Sequence, residues 1–465
     1  MRAMAPPPSS GSDATAAPLP TISGLIARLR GILTDKSDSR LAQLMAGKVF
    51  LVRVANAILM LLSQVLLARW MGTHEFGIFI YVWTWVLMIG ALSDMGLSSA
   101  AKRFIPEYTE YKAFDKLRGF LTGSCWLAFA IATIIAALGA LGVWLLGSWL
   151  DHYLIVPLYL ACVMIPVYGL VQVASGIAAA YDWPGLAFWP FYIIRTTLVI
   201  VLMGIAWLIG LPTDAHTALY ISIISIYGIT IGQLIVLNRR LKTKVEPGPK
   251  RYEVKTWLGT ALPIFIVEGF YLLLTYVDIL AIQHFGTPDD VATYYAGARL
   301  LSIVAFVYFA ISGAVTHRFT EYHVSGDKTR LASFFAETIR WTFWPSLAMC
   351  VGILVFGKPL LYLFGPEYEA AYPVMFILAI GLLARAAVGP AERLLSMLGE
   401  RKPCALIYAA AFVVNLVLCI VLIPRFGIEG AGAATSVALV FESIMLFIVA
   451  RRRLGLHVLM WGGKE

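Results

Sequence analysis

The chain has 465 residues, 60% apolar and only 14% charged, with a formal charge of +9 and a mean hydropathy of +0.80. A soluble chain carries roughly a quarter charged residues, so this one cannot solvate a globular surface and lipid must cover it. Lys and Arg gather in alternate loops rather than in one patch, which excludes a nucleic-acid surface and fits membrane insertion.

Residues 1–48 precede the first long apolar run. Positions 1–20 are rich in Pro, Ser and Ala and are expected to be disordered. Positions 22–33 place Ile22, Leu25, Ile26, Leu29 and Leu33 on one helical face with Arg28 and Arg30 off it, which predicts a short helix lying on the membrane surface. No cleavable signal is expected, because the first apolar run begins near Val49.

From there the apolar runs predict an all-α polytopic membrane protein of about twelve transmembrane helices. The spans fall at 49–69, 77–97, 119–145, 154–179, 186–209, 217–237, 257–282, 294–315, 335–356, 372–397, 404–423 and 430–450. A basic, Pro-containing stretch at 238–256 separates 49–237 from 257–450, and 451–465 forms a tail. The loops at 102–118 and 238–256 and the tail hold most of the Lys and Arg, so both termini are predicted to be cytoplasmic. The opposite loops are short and offer no folded domain to carry chemistry.

The two halves echo each other. Gly72-Thr73 and Tyr81 recur as Gly286-Thr287 and Tyr295, and Arg103-Phe104 recurs as Arg318-Phe319, each about 214 residues on. Six spans per half means that both halves enter from the same side. The expected architecture is two parallel-repeat six-helix lobes around a central cavity.

Ionisable residues inside spans are costly and by default face a cavity or a partner. Arg53, Asn56, Ser63 and Gln64 form one stripe on the first span; Glu268, Tyr271, Thr275 and Asp278 form the corresponding stripe on the seventh. Equivalent helices therefore carry stripes of opposite charge, as a hydrated cleft would need. Arg195, Arg299 and Arg385 are further candidates, with Glu392 and Arg393 beside the last. A planar guanidinium donates two hydrogen bonds to one phosphate or pyrophosphate group, so Arg53, Asn56, Arg195, Arg299 and Arg385 are the predicted substrate contacts. Glu268 and Asp278 are the predicted sites of proton or sodium coupling. A second reading stays open, in which Arg53 and Arg195 snorkel or pair with a carboxylate and Glu268 and Asp278 sit in structural ion pairs. Glu442 is a weaker candidate, and Asp94 has the position of a turn-shaping residue. Gly228 and Gly232 form a GxxxG, read as a helix contact.

The five cysteines lie singly in apolar segments and the histidines show no metal spacing. Gly352 to Lys358 matches GxxxxGK, but Pro359 stands where magnesium needs Ser or Thr. Neither a metal site nor a cofactor is expected.

The stretch ARWMGTHEFGIFIYVWTWVLMIGALSDMGLSSAAKRFIPEY resembles the opening of the polysaccharide-transport, or O-antigen flippase-like, family, with its turn glycines at Gly72 and Gly77 and its DxGL at Asp94 to Leu97. YVDILAIQHFGTPDDVATYYAGARL resembles that family's seventh and eighth helices, and LIPRFGIEGAGAATSVA its C-terminal segment. The same superfamily holds multidrug exporters and lipid II flippases. The resemblance implies a non-enzymatic flippase of the bacterial inner membrane. It would move an undecaprenyl-pyrophosphate-linked oligosaccharide to the periplasmic leaflet by alternating access, for O-antigen, exopolysaccharide or capsule synthesis. Its partners would be that lipid-linked oligosaccharide and membrane lipid, with a polymerase and a chain-length regulator of the same pathway. The main rival is a cation-coupled multidrug exporter, which would call for a cavity dominated by carboxylates and aromatics. A membrane-embedded glycosyltransferase would need a loop domain that the chain lacks.

Overall fold

The computed structural model describes residues 38–325, 328–398 and 400–454, with side chains from Asn56 onward except at 309, 313, 314, 316, 317, 320, 323, 324, 328, 401 and 454. The predicted tail 1–20 and surface helix 22–33 lie outside the described residues. Met1–Ala55 and Asn56–Glu465 form separate units, and the membrane bundle is built by the second.

Among the described residues every regular element is a helix. Ten stretches are long and apolar enough to cross a bilayer. Two of these, Asn56–Glu110 and Lys402–Arg453, run to 55 and 52 residues. At about 1.5 Å per residue each is more than twice the ~30 Å hydrocarbon thickness. Each is broken at a glycine with non-helical dihedrals, Gly72 (φ 77°, ψ 170°) and Gly427 (φ 56°, ψ −135°). Counting each broken stretch as two crossings gives the twelve that the apolar runs predict.

The first six crossings run through α1 (Asp38–Ser93), α2 (Leu97–Glu110), α3 (Phe114–Leu146), α4 (His152–Ala180), α5 (Pro184–Leu208) and α6 (Ala215–Lys242). The turn from α1 to α2 is shaped by Asp94, whose carboxylate accepts from the amides of Gly96 (2.8 Å) and Ser98 (3.3 Å). The last six run through α7 (Val254–Phe285), α8 (Pro288–Leu301), α9 (Ala305–Val324), α10 (Lys328–Val355), the short α11 (Gly357–Tyr362), α12 (Tyr372–Val388), α13 (Ala391–Met397) and α14 (Arg401–Leu454). The most apolar part of Asn56–Glu110 is 67% buried, against 11% for α3. The first helices therefore form the centre, while α3 turns Trp126, Leu138 and Trp144 outward where lipid would lie.

Helix α7 belongs to both halves. At its start Trp257 is buried in the first lobe, donating to the Tyr108 hydroxyl at 3.3 Å and standing perpendicular to Phe120. Beyond Pro263 its Leu274 packs in the second lobe with Tyr408, Ala411 and Ala438.

Three expectations are corrected. The span drawn at 294–315 starts earlier, because α8 opens on a capping box between Thr287 and Asp290 with Pro288 in its first turn. Asp289 and Asp290 lower the hydropathy there yet favour a helix N-terminus. The span drawn at 372–397 is interrupted: α12 ends at Gly389 (φ 59°), and Pro390 has no N–H to continue the ladder. Gly228 and Gly232 make no helix contact among the described residues, since a Cβ at either would meet nothing within 4 Å. The close glycine approaches are elsewhere, as with Gly176 against Ser98 and Gly77 against Pro288.

Candidate functional site

At the end opposite the basic loops the two lobes are joined by direct contacts. Arg69 donates from Nε to the Leu363 carbonyl at 2.8 Å and from Nη2 to that of Tyr362. His74 meets Asp289 at 3.2 Å. Phe76, fully buried, stands edge-on to both Tyr295 and Tyr368. The backbone of Gly77 lies so near α8 that a Cβ there would come within 1.8 Å of the Pro288 carbonyl oxygen. Gly72 and Gly77, five residues apart, thus do different work: the first turns the chain and the second lets the lobes touch.

Toward the basic end, α7 carries contacts between the lobes. A Cβ on Gly96 would stand 2.8 Å from the Ala261 carbonyl oxygen, and Ser99 donates to Glu268 Oε1 at 2.8 Å. Glu268 is therefore a partner in an interlobe hydrogen bond.

Inside the first lobe, Arg195 is 8% exposed. It follows a π-helical turn, Trp189–Ile194, whose extra residue per turn re-aims the side chain that comes next. Its guanidinium lies 4.4 Å from the Trp83 ring centroid and 4.7 Å from that of Phe191, and Nε donates to the Phe191 carbonyl at 3.4 Å. The groups near enough to feel its charge are the hydroxyls of Tyr168, Tyr192 and Tyr295, with no carboxylate among the described residues. It pairs with no acid among the described residues. Aromatic faces attract a cation, but they leave its full charge uncompensated.

Arg299 comes from the second lobe and is half-buried. Its Nη2 lies 3.6 Å from the sulfur of Met60, and Asn56 Nδ2 lies 3.9 Å from the same atom. Two candidates from different lobes, Asn56 and Arg299, are thus brought together around Met60, while Asn56 Oδ1 and Gln64 Oε1 are buried without a partner among the described residues. Tyr276 is within electrostatic reach of Arg299, Tyr192 and Tyr295. The side chain of Arg53 lies outside the described residues.

Arg385 has a different setting. Its Nε stands 3.6 Å from Glu442 Oε1, with Glu442 fully buried and Arg385 24% exposed. The guanidinium also lies over the rings of Tyr271 and Tyr308, beside a cavity of about 60 Å³. Arg385 already has its counter-charge, and Glu442 is the partner that sequence reasoning left aside.

Asp278 is 6% exposed and well supplied with donors. Tyr294 Oη donates at 2.6 Å, Thr435 Oγ1 at 3.2 Å and the Ile279 amide at 2.8 Å. Asn415 and Cys419 form the adjoining layer, with Asn415 Nδ2 reaching the Leu274 carbonyl at 3.5 Å. The arrangement gives one buried carboxylate held by two hydroxyls and a backbone amide, a place where a proton or a small cation could be held. No cluster of three His, Cys, Asp or Glu side chains suited to a metal occurs among the described residues.

The profile described as polysaccharide biosynthesis protein matches residues 46–323, and a MatE profile matches 263–421. A protein of Haloferax volcanii named a probable low-salt glycan biosynthesis flippase is 24% identical over 184 residues, 38% of this chain and 38% of its own length. The aligned stretch thus spans well under half of that relative. Among solved structures, an inward-facing multidrug resistance MATE transporter of the MOP superfamily superposes with a TM-score of 0.71 at 15% identity, over 86% of this chain and 94% of that one. The lipid II flippase MurJ, in an inward closed conformation, superposes with a TM-score of 0.66 at 16% identity, covering 87% of each chain. Both likenesses concern the fold, a twelve-helix bundle in two lobes.

Proposed function

The chain belongs to the polysaccharide biosynthesis protein family, and from that premise we propose that it is a flippase for an undecaprenyl-pyrophosphate-linked oligosaccharide, moved from the cytoplasmic to the periplasmic leaflet. The observation that carries the proposal is Arg195, a buried cation caged by aromatic rings with no carboxylate partner among the described residues. Burying a lone charge is expensive, and an anionic head group entering the cleft would supply the missing counter-charge. Arg299 with Asn56 would form a second station where the two lobes meet, and Arg53 lies one turn before Asn56 on the same predicted stripe. The lipid tail would stay in the bilayer, so only the head requires a polar path.

In this reading residues 49–237 and 257–450 rock about the 238–256 linker. The basic end faces the cytoplasm of a bacterial inner membrane, both termini are cytoplasmic, and the contacts around Gly77 close the periplasmic end. Asp278 would couple the cycle to a proton or sodium gradient, with Glu268 acting at the interlobe bond to Ser99. A polymerase and a chain-length regulator would take the glycan onward.

A second reading, export of organic cations, draws on the MatE match and on the aromatic lining of Trp83, Tyr192, Tyr276 and Tyr295. Arg195, with no carboxylate partner among the described residues, opposes it, because it would repel a cationic cargo. Lipid extracts of a strain lacking the protein separate the two. The flippase reading expects accumulated undecaprenyl-linked oligosaccharide and lost surface polymer, restored by the wild-type chain and not by Arg195→Ala or Arg299→Ala. Unchanged precursor and polymer, with raised sensitivity to cationic dyes, would favour the exporter.

A further inference from the structure

We infer that the outer flank of the first lobe holds a binding site for an anionic glycerophospholipid, independent of what the protein transports. A cavity of about 1050 Å³ opens between α3 and α6 at the basic end, and no residue of the second lobe lines it. That volume lies at the upper end of the range for small-molecule pockets. Its walls are apolar, formed by Leu121, Phe129, Leu170, Leu234 and Leu237, while Lys242, Lys250, Arg118 and Glu246 stand around the mouth. The chemistry is that of an acyl chain below and a phosphate above.

The mouth is built, because the segment after α6 is strapped to α3. Arg118 donates from Nε to the Pro249 carbonyl at 3.0 Å and from Nη1 to that of Glu246 at 2.9 Å. Its guanidinium lies so close to Gly248 that a Cβ there would stand 2.7 Å from it. The Arg251 amide donates to the Asp115 carbonyl at 2.9 Å, and Lys116 pairs with Glu253 at 3.0 Å. These contacts use Arg118 and leave the ammonium groups of Lys242 and Lys250 with no ion pair among the described residues.

Charge selects the occupant. Arg118, Lys242 and Lys250 against Glu246 leave the mouth net positive, and a zwitterionic head group would not balance it. The predicted segment 22–33 of the same chain carries Arg28 and Arg30 and no acid, so it repeats the sign of the mouth. The cavity also sits on one lobe only, so the lipid would remain bound while the lobes rock and would hold the strap that joins them.

The test uses the full-length chain in nanodiscs and reads quenching of Trp126, which lines the cavity, by phospholipids brominated on the acyl chain. The Trp126 signal is isolated by difference from Trp126→Phe. Brominated phosphatidylglycerol is expected to quench at a mole fraction at least tenfold lower than brominated phosphatidylcholine. Each lysine beside an anionic head group is worth about fivefold in affinity, so Lys242→Ala with Lys250→Ala should abolish the preference. An unchanged thermal unfolding temperature would show that the variant is folded. Equal quenching by the two lipids would overturn the proposal, as would a preference that survives in the double variant. Displacement by undecaprenyl phosphate at equal mole fraction would also overturn it, making the cavity a station for the cargo. So would a preference seen only after residues 1–37 are removed, which would make the chain's own segment the occupant.

Discussion

Replacing Gly77 with alanine should pry the lobes apart at the end they close. The added Cβ would stand 1.8 Å from the Pro288 carbonyl oxygen, where ordinary contact begins near 3.4 Å, so α1 and α8 must separate by roughly 1.5 Å. The obstacle is backbone and has no rotamer to yield. Overpacking of this kind costs about 1–3 kcal/mol, and the penalty falls only on the conformation in which the helices touch. A bias of that size shifts a two-state equilibrium by about 5- to 150-fold. The neighbouring His74 and Asp289, 3.2 Å apart, give the readout. With His74→Cys and Asp289→Cys introduced, the rate of cross-linking by a short thiol reagent reports how often this end is shut. The five native cysteines are buried or half-buried and should react slowly. The Gly77→Ala chain should cross-link 5- to 150-fold more slowly while its unfolding temperature changes little. An unchanged cross-linking rate would refute the reasoning that this contact is what closes the end.

Arg195→Lys keeps the charge but loses the planar face that lies over Trp83 and Phe191; a desolvated cation–π contact is worth about 2 kcal/mol, so complementation of polymer export should fall by roughly 30-fold. Full activity would mean that any cation suffices there. Glu442→Gln removes the counter-charge of Arg385 and should destabilise the second lobe by about 3–5 kcal/mol, read as a lower unfolding temperature in detergent. Adding Arg385→Met should restore much of the loss. Tyr294→Phe takes the shortest donor from Asp278, an effect of about 1.5–3 kcal/mol for a hydrogen bond to a charged group. It should alter the proton or sodium dependence of transport more than its rate at saturating gradient.

The crossings were legible because each apolar run is about one bilayer long, and the repeat was legible because Gly72, Tyr81 and Arg103 recur in register. The pairing of Arg385 with Glu442 was not. Fifty-seven residues separate them, and nothing in a helix pattern says which face of α14 meets which face of α12. The role of Met60 was hidden for another reason: it is an apolar residue within a polar stripe, and its sulfur becomes a contact only once Arg299 arrives from the other lobe. Arg195 was visible as a costly residue, but its aromatic cage depends on the π turn at Trp189–Ile194, which hydropathy does not register. The start of α8 was missed because Asp289 and Asp290 look like loop to a hydropathy window and act as an N-terminal cap in the folded chain.

The central claim is that the cleft accepts an anionic lipid-linked head group through Arg195. The most direct measurement reconstitutes the purified chain in proteoliposomes carrying a fluorescent undecaprenyl-pyrophosphate-linked saccharide and follows its leaflet by a membrane-impermeant quencher. Protein-dependent movement is expected that Arg195→Ala abolishes and that Lys242→Ala leaves in place. Movement unaffected by Arg195→Ala, or no movement of the labelled lipid where an organic cation is transported, would contradict it.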